Sequence, residues 1–126
     1  MAAPTLKGCM TLCGGLRAAT HAVQWGHHDV WKVGGKVFAI AGTADDGHFT
    51  VSFKVSPMGF EVLRDHPDCR PAPYLASRGM TWIQYYRGDD MTPRELGDLL
   101  TASYELIAAG LTKKKRAELG LLEAKK

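Results

Sequence analysis

The clearest hydrophobic pattern in the chain is a pair of apolar, β-branched and aromatic runs, Val30–Val33 and Val37–Ala41, either side of Gly34-Gly35. Two glycines between such runs predict a β-hairpin, because a type I′ or II′ turn needs positive φ and glycine adopts it without steric cost. With Gly34 and Gly35 as the loop, Val33 faces Lys36, Lys32 faces Val37 and Trp31 faces Phe38. One face then carries Trp31, Val33, Phe38 and Ile40 and reads as a core face. The other carries Val30, Lys32, Val37 and Ala39, weakly apolar with a charge in it.

The cleanest period-two alternation runs from Phe49 to Lys54. Phe49, Val51 and Phe53 are expected to face in, and Thr50, Ser52 and Lys54 to face out. Thr81–Arg87 reads as a further strand, with Ile83 and Tyr85 toward the core and Trp82, Gln84 and Tyr86 opposite. Ala19–Trp25 is a short extended piece, and His27-His28-Asp29 a turn.

Helical spacing marks three other stretches. Thr5 caps a helix from about Leu6 to Ala19, striped by Leu6, Cys9, Met10 and Cys13, with Gly14-Gly15 ending or loosening it. Ser56-Pro57 starts a short helix over Met58–Arg64, a hydroxyl cap followed by proline at the first helical position. Thr92-Pro93-Arg94-Glu95 starts a long one with a capping box, and Gly110 stops it. Its apolar face runs through Leu96, Leu99, Leu100, Ser103, Leu106 and Ile107. Thr112 caps a last short helix over about Lys113–Leu121. Residues 65–78, with Pro67, Pro71 and Pro73, form a long connection without structure of its own, the kind of segment that often binds something. Antiparallel strands with helices before, between and after them predict an α+β fold, helices packed on one face of the sheet and the other face open to solvent or a partner.

The 126 residues make one domain, with about 112–126 as a basic C-terminal extension. A net charge of +3 permits a polyanionic partner without demanding one. No apolar run approaches the roughly 18 residues of a membrane helix, and no signal-peptide core is present. The expected setting is the cytoplasm, with no membrane partner. Three cysteines, Cys9, Cys13 and Cys69, argue against a disulfide framework. Cys9 and Cys13 share a helix face and read as core thiols, with a metal or redox pair as the sharper alternative; no ligand spacing accompanies them. No cofactor is implied.

Several stretches together resemble the MmcQ/YjbR-like family: Trp25-Gly26, Lys32-Val33-Gly34-Gly35-Lys36-Val37-Phe38-Ala39, Phe53-Lys54, Leu63-Arg64, Pro71-Ala72-Pro73-Tyr74-Leu75, Trp82, and Ser103-Tyr104 with Leu106. The resemblance implies a frataxin-like α-β sandwich, also described as a double wing, and a DNA-binding role. Frataxins carry an acidic ridge for iron on the first helix. Residues 1–28 contain no acid, so an iron-chaperone reading is rejected.

The candidate nucleic-acid contacts are Lys32 and Lys54 on the outer sheet face with Thr50 and Ser52, Lys36 at the hairpin tip, and Lys113, Lys114, Lys115 and Arg116 after the long helix. Trp82 and Tyr86 are candidates for stacking on bases if they share that face. Gly34-Gly35 lacks the spacing of a phosphate-cradling fingerprint. Ser103 has no paired histidine and acid, so it reads as a packed serine and the chain as a non-enzyme. Arg64, Arg70 and Arg78 with Tyr74 could line an anion pocket, or Tyr74 could anchor the connection on the core. His27-His28 lack metal-ligand spacing. The expectation is a weak, salt-dependent DNA-binding protein of low sequence specificity. The alternative is a protein-interaction or small-ligand module using the open sheet face and the Arg70–Arg78 connection.

Overall fold

Alternating side chains and tight glycine turns build one antiparallel sheet, and the capped segments build the helices that cover it. The computed structural model describes residues 3–24, 28–44, 46–73, 75 and 79–121. Trp25, Gly26, His27, Tyr74 and Arg78, singled out above, lie outside the described residues. The elements are α1 (Leu6–Gly14), β1 (Ala19–Gln24), β2 (His28–Val33), β3 (Lys36–Thr43), β4 (Phe49–Lys54), α2 (Pro57–Leu63), β5 (Cys69–Pro71), β6 (Trp82–Tyr85), α3 (Pro93–Ala109) and α4 (Lys113–Glu118). The strand order is β1-β2-β3-β4-β6-β5, antiparallel throughout. The fold is α+β.

The helix starts form as their local chemistry dictates. Thr5, Ser56 and Thr92 each accept a hydrogen bond from the third residue of their helix, and Thr92 and Glu95 close a capping box. Pro57 and Pro93 occupy first positions, where their missing N–H costs nothing. α1 ends at Gly14 with Gly15 as its C-cap, at the glycine pair expected to end or loosen it, and Ala18 takes a φ of 64° as the chain turns into β1.

α3 packs across β2, β3 and β4, and α1 packs on α3 and β1. The core between helices and sheet holds Phe38, Val51, Phe53, Ile83 and Tyr85 against Leu96, Leu100 and Tyr104. Ile83 and Tyr85 are core residues, as their alternation predicts.

The hairpin turn is where the glycines put it, with φ of 60° at Gly34 and 82° at Gly35. Its register is not the simple one. Val33 pairs Lys36 and Lys32 pairs Val37, but Trp31 then pairs Ala39 rather than Phe38. Phe38 is the extra residue of a β-bulge, and every later residue of β3 changes face. Ala39 and Ala41 join the helix-side core, whereas Ile40, expected there, pairs Val30 on the opposite face. A buried serine holds the bulge. Ser103 Oγ donates to Phe38 O at 2.7 Å and accepts from Lys54 N at 2.9 Å. The hydroxyl completes the ladder just past the Ala39–Phe53 pair, the last of the β3–β4 register at this end. Tyr104, the next residue, meets the Phe38 ring edge-on at 5.4 Å and donates its hydroxyl to Arg17 O.

The second sheet face is not open. Of the expected unstructured connection 65–78, Cys69–Pro71 form β5, and Pro73 and Leu75 lie over the sheet, lining a cavity with Ile40, Thr50 and Ser52. Ala72 N donates to Trp82 O, Met80 N to Leu75 O and Thr81 Oγ1 to Val55 O. Val30, Ala72 and Trp82 are buried on this face, outside the helix-side core.

Candidate functional site

The expected outer-face site comes apart once the cover is in place. Thr50, Ser52 and Trp82 are only 6 %, 7 % and 5 % exposed, so they cannot meet a phosphate backbone or stack on a base from outside. Lys32 lies on β2 and Lys54 on β4, two strands apart and therefore separated by about 10 Å. Lys54 lines a groove of about 410 Å³ between α2 and α3, walled mostly by apolar residues such as Leu63, Leu99 and Leu106. Tyr86 is half-buried, and the guanidinium carbons of Arg70 and Arg87 lie 4.4 and 4.9 Å from its ring centre. Alternation places these side chains on the intended face; the covering segment, which has no periodic signal, removes them from solvent.

Two arrangements take the place of that site. The first is a cavity of about 450 Å³ on the second face, lined by His28, Ile40, Thr50, Ser52 and Gln84 from the sheet and by Pro73 and Leu75 from the cover. Ile40 reaches it only because of the bulge at Phe38. Gln84 is fixed: Arg70 Nε donates to its Oε1 at 2.7 Å. An arginine can only donate, so the other terminal atom of Gln84 is the NH₂ group. The His28 ring sits directly over Gly42, so close that a Cβ there would lie 2.6 Å from it.

The second arrangement is a basic end. Leu111 packs on the hairpin turn, and a Cβ at Gly34 would lie 2.7 Å from Leu111 Cδ1. That contact seats the start of α4 beside the hairpin tip, bringing Lys36 to the same end of the molecule as Lys113, Lys114 and Lys115, all exposed. Arg17 joins them from the α1–β1 turn; a Cβ at Gly120 would lie 3.3 Å from its guanidinium. Arg116 is half-buried, and its Nε has no hydrogen-bond partner among the described residues. The described part of the expected extension 112–126 packs against the core through Leu119 and Leu121, next to the buried Leu111.

Ser103 and the three cysteines are sealed in. Ser103 is fully buried and both its hydrogen bonds go to backbone. Burial pushes the Cys9 thiol up to about 11 and the Cys13 and Cys69 thiols up to about 12, with Cys9 adding to the shift at Cys13 and Asp68 to that at Cys69. Neutral thiols are poor metal ligands and poor nucleophiles. No group of three or more metal-binding side chains occurs among the described residues.

The YjbR family model matches residues 14–106, well over half the chain. The chain belongs to the YjbR family. Among relatives, this YjbR chain is 28 % identical over 87 residues to the "Uncharacterized protein YbdF" of Escherichia coli O157:H7, a match spanning 68 % of this chain and 69 % of that protein. The structure of Deinococcus radiodurans protein DR2400, a DUF419 domain, superimposes with a TM-score of 0.80 at 27 % identity, covering 98 % of this chain and 93 % of that one. A Pseudomonas syringae protein, structural-genomics target PsR293, shares the fold with a TM-score of 0.68 at 16 % identity, over 82 % of this chain and 98 % of that one. In the YjbR chain the two most distinctive stretches meet. The Gly-Gly-Lys-x-Phe-Ala segment makes the turn and the bulge, and Ser103-Tyr104 clasps the bulged Phe38. The basic run on α4 lies beyond the matched residues.

Proposed function

We propose that this YjbR-family protein is a non-enzymatic nucleic-acid-binding protein that holds phosphates at its basic end. The packing of Leu111 on Gly34 carries the reading, because it joins Lys36 of the hairpin tip to the Lys113–Lys115 run. Lysines at such an end contact phosphates without reading bases, which predicts low sequence specificity. Helix chemistry supports a functional origin for the run. Lys113 and Lys114 occupy the first turn of α4, where the helix dipole disfavours cations, so they add nothing to the stability of that helix. The sealed serine and thiols favour binding over catalysis. No helix among the described residues is long and apolar enough to cross a membrane, and a cytoplasmic setting fits this reading.

The test is fluorescence anisotropy with labelled duplex and single-stranded DNA at two salt concentrations. With the four exposed lysines each neutralising one phosphate, affinity for duplex should fall about 100-fold between 50 and 200 mM salt. K36E and the triple variant K113E/K114E/K115E should each weaken binding at low salt while leaving the circular dichroism spectrum unchanged. Absence of salt-sensitive binding to either form of DNA, or binding indifferent to both variants, would refute the proposal.

A further inference from the structure

We infer that the cavity on the second sheet face is a binding site for a small, partly apolar molecule that presents carbonyl or carboxylate oxygens. Its volume of about 450 Å³ falls within the roughly 300–1,000 Å³ of small-molecule sites. Ile40, Pro73 and Leu75 give it apolar walls, and Thr50, Ser52 and Gln84 bring groups able to donate, the two hydroxyls being able to accept as well. Thr50 and Ser52 are more than nine-tenths buried, yet both line the cavity, and neither hydroxyl has a hydrogen-bonding partner among the described residues. Neither oxygen is sealed from solvent, so both hydroxyls open onto the cavity and are available to whatever occupies it. The NH₂ of Gln84 is a third donor, held in that orientation because Arg70 occupies its oxygen. No aspartate or glutamate is among the described lining residues, so nothing there would favour a cation. Convergent donors on an apolar floor select a ligand with an apolar body and an accepting edge.

The site does not depend on DNA binding, which uses the other end of the molecule. Its chemistry can be tested with three probes of one shape: benzamide, benzoate and benzylamine. In ¹H–¹⁵N spectra of the full chain, millimolar benzamide and benzoate should shift the amides of Thr50, Ser52 and Gln84, while benzylamine should not. A preference for benzoate over benzamide would mark the natural ligand as an anion, and the reverse as a neutral carbonyl compound; either supports the site. The variant T50V/S52A removes both hydroxyls with little change of shape and should weaken binding about tenfold, the worth of one or two hydrogen bonds. I40W narrows the cavity from the strand position opposite Ser52 while keeping both hydroxyls, and should weaken the shifts even if the double variant folds poorly. The inference fails if neither oxygen-bearing probe shifts these amides, if benzylamine binds as well, or if I40W leaves binding unchanged.

Discussion

The two faces of the sheet are made by the same strands and do opposite things. Along β4, Val51 and Phe53 enter the helix-side core, while Thr50 and Ser52, between and beside them, floor a cavity. The helix side is filled with Phe38, Ile83, Tyr85, Leu96 and Leu100, each almost wholly removed from water. On the far side Pro73 and Leu75 leave about 450 Å³ onto which two hydroxyls open. A protein concentrates stability where packing is complete and can carry polar groups and voids where it is not. The filled face reads as the scaffold and the covered face as the place where the scaffold is used.

Truncation on each face breaks this comparison most directly. Phe38→Ala should cost about 3–5 kcal/mol, the usual range for a buried aromatic, because the ring lies against Tyr104 in a filled core. Ile40→Ala, two residues on but facing the cavity, should cost less than about 2 kcal/mol, since part of its surroundings is already void. Urea unfolding of both variants decides the matter. Equal losses would mean that the second face is as much core as the first.

Ser103→Ala attacks the clasp between the faces and should cost about 1–3 kcal/mol. It leaves Phe38 O and Lys54 N without their partner at a point where the strand ladder has ended. Hydrogen exchange gives a sharper reading than stability alone. The Lys54 amide should lose protection in S103A while the Val51 amide, inside the β4–β6 ladder, keeps it. Uniform loss across β4 would show that the serine supports the whole sheet rather than the bulge.

The sequence shows the filled face well and the covered face badly, for a physical reason. Caps at Thr5, Ser56 and Thr92 and the turn at Gly34-Gly35 are local chemistry, complete within four residues. The bulge at Phe38 is not local, because its partner, Ser103, lies 65 residues away. Without the bulge, strict alternation sends Ile40 to the wrong side. Thr50 and Ser52 alternate with Val51 and Phe53, a pattern identical to that of a solvated face. Only the placement of Pro73 and Leu75 over the sheet distinguishes burial from exposure, and a proline-rich connection carries no periodicity to announce it. The basic end was half visible: Lys36 and Lys113–Lys115 stand out as charges, but their meeting depends on Leu111 reaching Gly34.

The cysteines give the smallest effect, and the one that separates the faces by pH. Cys9, Cys13 and Cys69 all belong to the helix-side core. Their thiols, ordinarily ionising near 9.0, are pushed up to about 11, 12 and 12 by burial. Above pH 9 the unfolded chain therefore releases thiol protons that the folded chain keeps, so stability is full below pH 9 and falls as pH rises toward 11–12. At pH 9 half of each unfolded thiol is ionised, and each should contribute a loss of about 0.4 kcal/mol relative to neutral pH. The measurement is the difference in alkaline slope between the natural chain and Cys13→Ala, which isolates the thiol from every other alkaline effect. C13A should be less stable at pH 7, because it leaves a small void, and should lose less of its stability between pH 7 and pH 10. A C13A slope as steep as that of the natural chain would place the alkaline weakness outside the helix-side core and remove the thiols from the account of what that face contributes.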